Sequence, residues 1–165
     1  MREAGRDADV WRWMRERADE SGDAFHAWFE RMLATALPFA TVVDGVPLGH
    51  TSYLNVREDD RVVEIGNTWL ARRAWGTGAN TEAKLLLLQH AFEDEGFLRV
   101  EFKTDANNER SRAALAALPA EFEGVFRKHM LVRGGERRDS AWYAVIDDDW
   151  PAVKASLLEK LSRAG

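Results

Sequence analysis

Two groups of residues in this chain have the types and spacing to do chemistry. The first is Arg73-x-x-Gly76-x-Gly78, which follows a strand-like run and opens a helical one. A helix N-terminus has backbone N–H groups without internal partners and a partial positive charge, and glycines remove the Cβ atoms that would keep an anion away. The spacing suits a phosphate or pyrophosphate; it equally serves a tight strand-to-helix turn that binds nothing. No glycine-rich run ends in Lys-Ser/Thr, and the dinucleotide fingerprint needs a third glycine, so both of those phosphate motifs are excluded. The second group is Asn108, Ser111, Leu115 and Leu118, spaced i, i+3, i+7 and i+10 on one helix face. The leucines turn that face inward, so Asn108 and Ser111 need partners near the sheet. Capping by Asn107 or Asn108, with Ser111 bonded to a backbone carbonyl, is the alternative.

Other titratable residues give weaker signals. His50, His90 and His129 each lack an obvious carboxylate or nucleophile partner in sequence, which points to structural roles. No histidine pair has metal-ligand spacing, so no metal is expected. Trp11, Trp13 and Trp28 recur at helical spacing and read as core.

The elements that position these residues follow from periodicity. Val10, Trp11, Trp13 and Met14 mark a first helix; Phe25, Trp28, Phe29, Met32 and Leu33 mark a second, after the start signal Ser21–Asp23 and before Pro38. FATVV and VPLGHTSYL are strands around the hairpin pair Asp44-Gly45, and VVEIGNTWL is a third strand. A helix is predicted from about Thr77 to Glu95, closed by Gly96. LRVEFKT alternates, with Leu98, Val100 and Phe102 opposite Arg99, Glu101 and Lys103. A helix from about Asn108 to Leu118 ends at Pro119; strands near 121–132 and 138–146 flank Gly134-Gly135, and Asp147–Asp149 opens a last helix. The strand–helix–strand unit requires a parallel pairing between antiparallel hairpins, so the fold class is α/β, with a mixed, mostly antiparallel sheet flanked by helices.

Bulk properties limit the function. One domain over residues 1–165 is expected, with 45% apolar and 31% charged residues. Absence of cysteine removes disulfides, thiolate metal sites and a cysteine nucleophile, and fits a cytoplasmic protein. A net charge of −5 disfavours nucleic-acid binding and suits a cationic partner such as an amine. The first twenty residues have no signal-peptide core and the longest aliphatic run, Leu85–Leu88, is too short for a membrane span.

The glycine turn resembles the acyl-CoA pyrophosphate loop of the GNAT superfamily, usually Gln/Arg-x-x-Gly-x-Gly/Ala, and Asn108-x-x-Ser111 resembles that superfamily's Asn-x-x-Ser element. EIGNTWLARRAWGTGANTEAKLLLLQHAF, RVEFKTDANNERSRAALAAL and FEGVFRKHMLVRGGERRDSAWYAVIDDDWPAV are similar to the ribosomal-protein N-acetyltransferase (Rim-type) branch, where an Arg-Asp-Ser/Thr stretch, here Arg138-Asp139-Ser140, leads into the last strand. The resemblance covers roughly residues 40 to 155. It implies acetyl-CoA as co-substrate and a primary amine as acceptor, on a small molecule or a protein N-terminus. It also implies that backbone amides of Trp69 and Leu70 hold the pantetheine and polarise the thioester carbonyl. Amides of Arg73, Ala74, Trp75, Gly76, Thr77 and Gly78 would bind pyrophosphate; Asn108 and Ser111 would lie along the pantetheine arm, with Ser111 the donor at the sulfur. Glu64 is the expected base, with Glu101 and Asp139 in reserve, and the early tryptophans could wall the acceptor cleft.

The chain departs from the family pattern in three places. It starts at DADVWRWM inside what would be the first helix, so the first strand is expected to be missing. Pro119 replaces a glycine, which should push Leu118 out of helical geometry and prevent a left-handed cap. Asn67 replaces an aromatic. An acyl-CoA-binding module without turnover and a structural or dimerisation domain are the competing readings; a homodimer is compatible with each.

Overall fold

Turn chemistry and alternation fix most of the sheet. In the computed structural model, which describes residues 1–164, β1 (Leu37–Val43) and β2 (Val46–Arg57) are joined by Asp44-Gly45. Both turn residues have positive φ, 49° and 76°, as a two-residue hairpin turn of this hand requires. β3 (Val62–Leu70) pairs antiparallel with β2, and β4 (Arg99–Asp105) pairs parallel with β3. β5 (Glu121–Val132) and β6 (Glu136–Ile146) form the last hairpin, and β6 inserts beside β4, giving the order β1-β2-β3-β4-β6-β5.

Helices form where capping and apolar spacing agree. α1 is one turn, Ala8–Trp11; α2 (Gly22–Thr35) starts at Ser21, whose side chain accepts from the Ala24 N–H. Of its expected inward residues, Phe25, Trp28 and Met32 are buried, but Leu33 is 52% exposed, because only one stripe of α2 meets the sheet. α3 (Ala79–Gln89) is shorter than the predicted 77–95; a π-turn over His90–Asp94 follows, and Gly96 at φ 67° ends the segment. α4 is Glu109–Ala117 and α5 is Trp150–Ala164. Leu98 falls outside β4 and is exposed.

Pro119 behaves differently from the expectation. Leu118 keeps near-helical geometry, and Ala120 N–H reaches the Leu115 carbonyl at 3.2 Å, the long-range bond of a Schellman cap. Pro119 itself sits at φ 33°, in the left-handed place that glycine favours. The cap therefore survives at the cost of strain, since the ring favours φ near about −65°.

The main core packs Val63, Ile65, Val100, Phe102 and Val145 of the sheet against Leu85 and Leu88 of α3, Leu115 of α4, and Trp150, Val153 and Leu157 of α5. A second cluster joins Trp11, Phe25, Trp28 and Met32 to Trp69. One backbone irregularity feeds both. Asn67 has φ 50°, and the β2–β3 register shifts between His50 and Ser52, so β3 carries a bulge there. The extra residue re-aims the strand: Thr68 reaches α3 and Trp69 turns to the tryptophan cluster.

Candidate active site

β3 and β4 run parallel for only three residue pairs, from Val62↔Arg99 to Glu64↔Glu101. Beyond that point they diverge, which leaves the facing strand edges without ladder partners. A cleft of about 1030 Å³ occupies the gap, at the upper end of the usual range for small-ligand sites. Unpaired strand edges facing a cleft can hydrogen-bond an extended, amide-bearing ligand.

The glycine turn closes one end. Trp69, Leu70, Ala74, Trp75, Gly76 and Thr77 line the cleft, whereas Arg73 and Gly78 do not. Arg72–Ala74 is a 3-10 turn, Gly76 has φ 74°, and Gly78 is the N-cap of α3 with ordinary right-handed geometry. Gly76 is therefore required by the backbone; Gly78 matters for what it lacks, a side chain over the helix end. The Thr77 hydroxyl accepts from Ala79 N–H at 3.3 Å, and no N-cap side chain serves α3.

The N-terminus of α4 faces that loop. Asn108 Oδ1 accepts from Ser111 N–H at 3.2 Å, so the capping role is real. Asn108, Ser111, Leu115 and Leu118 all line the cleft, as their common helix face predicts. The Arg110 guanidinium stacks 3.6 Å from the centre of the Trp75 ring, tying the two helix starts together across the cleft mouth.

On the other side, Glu64 is 1% exposed. Its Oε2 accepts from Asn55 Nδ2 at 2.8 Å and from Lys103 Nζ at 2.7 Å. The reserve candidates are committed elsewhere. Glu101 is held by Arg57 (3.1 Å) and Arg99 (3.0 Å). Burial pushes its carboxyl up, but these two arginines outweigh it and hold it below the usual carboxylate range. Asp139 Oδ1 accepts from Lys128 N–H, and neither residue lines the cleft.

The histidines have partners. Buried His50 contacts the Asn67 carbonyl at 2.9 Å and Ser52 Oγ at 3.2 Å; His129 contacts Ser140 Oγ at 3.0 Å. His90 does have a carboxylate, Asp94 at 2.8 Å one turn on, contrary to the sequence expectation. Among the described residues no cluster of metal-ligating side chains occurs. Trp11 and Trp28 are core as expected, but Trp13 lies past the end of α1 and is only half-buried; Trp13 and Trp28 line the cleft.

Among the cleft residues missed from sequence is Lys84. Lys84 is 5% exposed, and its Nζ donates to Thr68 Oγ1 at 2.7 Å and Thr51 Oγ1 at 3.1 Å with no carboxylate partner among the described residues. Burial pushes its ammonium down to about 7. The signal was available: Lys84 lies at i−4 and i−7 from Leu88 and Ala91, on the buried stripe of its helix.

Comparisons with known proteins agree with this geometry. The sequence model of the acetyltransferase (GNAT) domain matches residues 2–120. The chain is 32% identical over 111 residues to YdaF of Bacillus subtilis (strain 168), provisionally named a ribosomal N-acetyltransferase; the match covers 67% of this chain and 60% of YdaF. The crystal structure of a GCN5-related N-acetyltransferase from Brucella melitensis is 29% identical, with a TM-score of 0.91 over 97% of this chain and 75% of that one. Mycobacterium smegmatis RimJ, solved in complex with CoA-disulfide, is 26% identical with a TM-score of 0.69, over 86% and 68% of the two chains. The match to residues 2–120 includes the N-terminal helices, which the sequence resemblance left out. The chain belongs to the GNAT acetyltransferase family.

Proposed function

We propose that this protein transfers the acetyl group of acetyl-CoA to a primary amine by direct attack in a ternary complex. The observation that carries this reading is the splay of β3 and β4, which opens one cleft to the Gly76 turn, the α4 N-terminus and Glu64 together. The cleft fits acetyl-CoA in chemistry: orphan helix amides for pyrophosphate, free strand edges for the amide-bearing pantetheine, and a buried carboxylate beyond them.

The amine nitrogen attacks the thioester carbonyl; a C–N bond forms, the C–S bond breaks, and CoA leaves as thiol. The backbone amide of Leu70, on the strand edge away from β2, holds the pantetheine and donates to the developing oxyanion, while the Trp69 amide faces β2. Of the amides from Arg73 to Gly78, those of Ala74, Trp75 and Thr77 already donate to the Ala71, Arg72 and Ala74 carbonyls. The amides of Arg73, Gly76 and Gly78 therefore hold pyrophosphate; the Arg73 side chain is exposed and is not needed for this. Asn108 orders the α4 start, and the Ser111 hydroxyl donates a hydrogen bond to the departing thiolate, which takes its proton from solvent. Glu64, directly or through a water, takes the proton the amine loses; its Oε1 is left for this while Oε2 serves Asn55 and Lys103.

Acceptors of two kinds fit, a protein N-terminal amine, as the name of YdaF suggests, and a small-molecule amine. The thermal midpoint with and without acetyl-CoA tests the binding step. Ligand at a hundred times its dissociation constant adds about 2.7 kcal/mol, which for a chain of this size is roughly 5–10 °C. A rise of that order supports the reading; folded protein whose midpoint does not move contradicts it.

A further inference from the structure

Arg138 is a buried cation with no hydrogen-bonded partner among the described residues. Its side chain is 9% exposed, and its Nε is sealed from solvent without an acceptor. The Asp105 carboxylate stands 4.0 Å from Nε, beyond hydrogen-bonding range, and its Oδ1 already accepts from Asn107 N–H. Arg133 stands 3.9 Å from the same carboxylate but is paired at 3.0 Å with Glu136. One buried aspartate thus faces two guanidiniums and bonds neither closely. Buried arginines are ordinarily paired, because an uncompensated charge out of water is costly.

Position says what is missing. Arg138 and Arg133 line the same cleft as Glu64. On β6, Arg138 shares a strand face with Ser140 and Trp142, which lie opposite Asp105 and Lys103 of β4. Lys103 is the residue that reaches Glu64, and its Nζ lies 5.2 Å from the Trp142 ring centre. Arg138 is therefore on the face of the sheet that carries Glu64, away from the Gly76 turn and the Arg110–Trp75 stack. Arg133 is held in place by the Met14 carbonyl at 3.1 Å and the Arg15 carbonyl at 2.8 Å, so the β5–β6 turn is docked on the segment after α1.

We propose that Arg138 is an anion subsite for the acceptor, and that the acceptor is a primary amine bearing a carboxylate. This rests on the acetyl-transfer reading and narrows it. A guanidinium offers paired N–H donors that match a carboxylate in one plane, and binding it here would orient the amine on the Glu64 side of the thioester. The carboxylate has two possible sources, a free amino acid or an acidic residue near a peptide N-terminus.

The test compares matched acceptors: an α-amino acid with its amide, and a peptide with Asp or Glu at its second position with the Asn or Gln counterpart. In one arm or the other, the carboxylate form should be favoured in kcat/KM by about tenfold to a hundredfold, the worth of a charged hydrogen bond. R138Q should close that gap while keeping the acetyl-CoA midpoint shift, which shows that the variant is folded. Equal rates for both forms in both arms, or an equal loss for both in R138Q, overturns the proposal. Should no amine be acetylated, the transfer reading fails and the subsite is tested separately. Calorimetry on the protein with CoA then compares N-acetyl amino acids and their amides. Carboxylate-selective binding that R138Q abolishes upholds the subsite, and its absence overturns it.

Discussion

Replacing Lys84 by methionine should make the protein more stable at neutral pH. The ammonium is buried, donates only to the hydroxyls of Thr51 and Thr68, and lies 5.9 Å from the Phe102 ring centre. Its fall from 10.5 to about 7 corresponds to a native-state penalty of up to about 5 kcal/mol. Methionine keeps the length and apolar packing, and the two threonine hydroxyls already bond each other at 2.9 Å, so neither is stranded. About 3 kcal/mol should be recovered after imperfect repacking, or roughly 6–12 °C in the midpoint. The gain must depend on pH in a defined direction. Below about 7 the lysine is charged in both states and the native state bears the full cost. Between about 7 and 10.5 it is neutral in the native state while the unfolded chain still binds the proton, so wild-type stability rises with pH. The advantage of Lys84→Met should shrink by up to about 1.4 kcal/mol per pH unit across that window. Denaturant unfolding without acetyl-CoA, at pH 6.5, 8 and 9.5, measures it. A variant less stable at neutral pH, or a gain that does not change with pH, would refute the reasoning.

Three further changes address the site and its frame. Ser111→Ala should lower kcat about tenfold or more while leaving the acetyl-CoA midpoint shift in place; an unchanged rate would remove Ser111 from the leaving-group step. Glu64→Gln should cost about a hundredfold or more in kcat, again with binding retained, and an active variant would move the base elsewhere. Pro119→Gly should stabilise by about 1 kcal/mol, since relief of a strained φ outweighs the greater freedom of glycine in the unfolded chain. Denaturant unfolding of that variant would contradict the strain argument by showing a loss.

Local signals in the sequence were read well where local physics decides the structure. Asp44-Gly45 must turn as it does, Ser21 and Asn108 each accept from an N–H three residues on in the helix they cap, and Gly76 needs its positive φ. What escaped is mostly set by partners distant in sequence. The Asn67 bulge is a property of the β2–β3 register, and Glu101 is drawn off by Arg57, 44 residues away. The stack of Arg110 on Trp75 and the burial of Arg138 depend on how loops meet across the cleft. Two misses had local signals: His90 and Asp94 are one helical turn apart, and Lys84 sits on an apolar stripe. Pro119 shows the opposite case, where the cap bond from Ala120 N–H to the Leu115 carbonyl forms although the local residue opposes it.

The most direct test of acetyl transfer is a count of products with a panel of primary amines, measuring CoA thiol and acetylated amine together. The account predicts amine-dependent release of one thiol for each amide formed, with at least one amine in the panel. Bound acetyl-CoA that is consumed with no amine, or is only hydrolysed at a rate no amine alters, would contradict it and leave a protein that holds the thioester without using it.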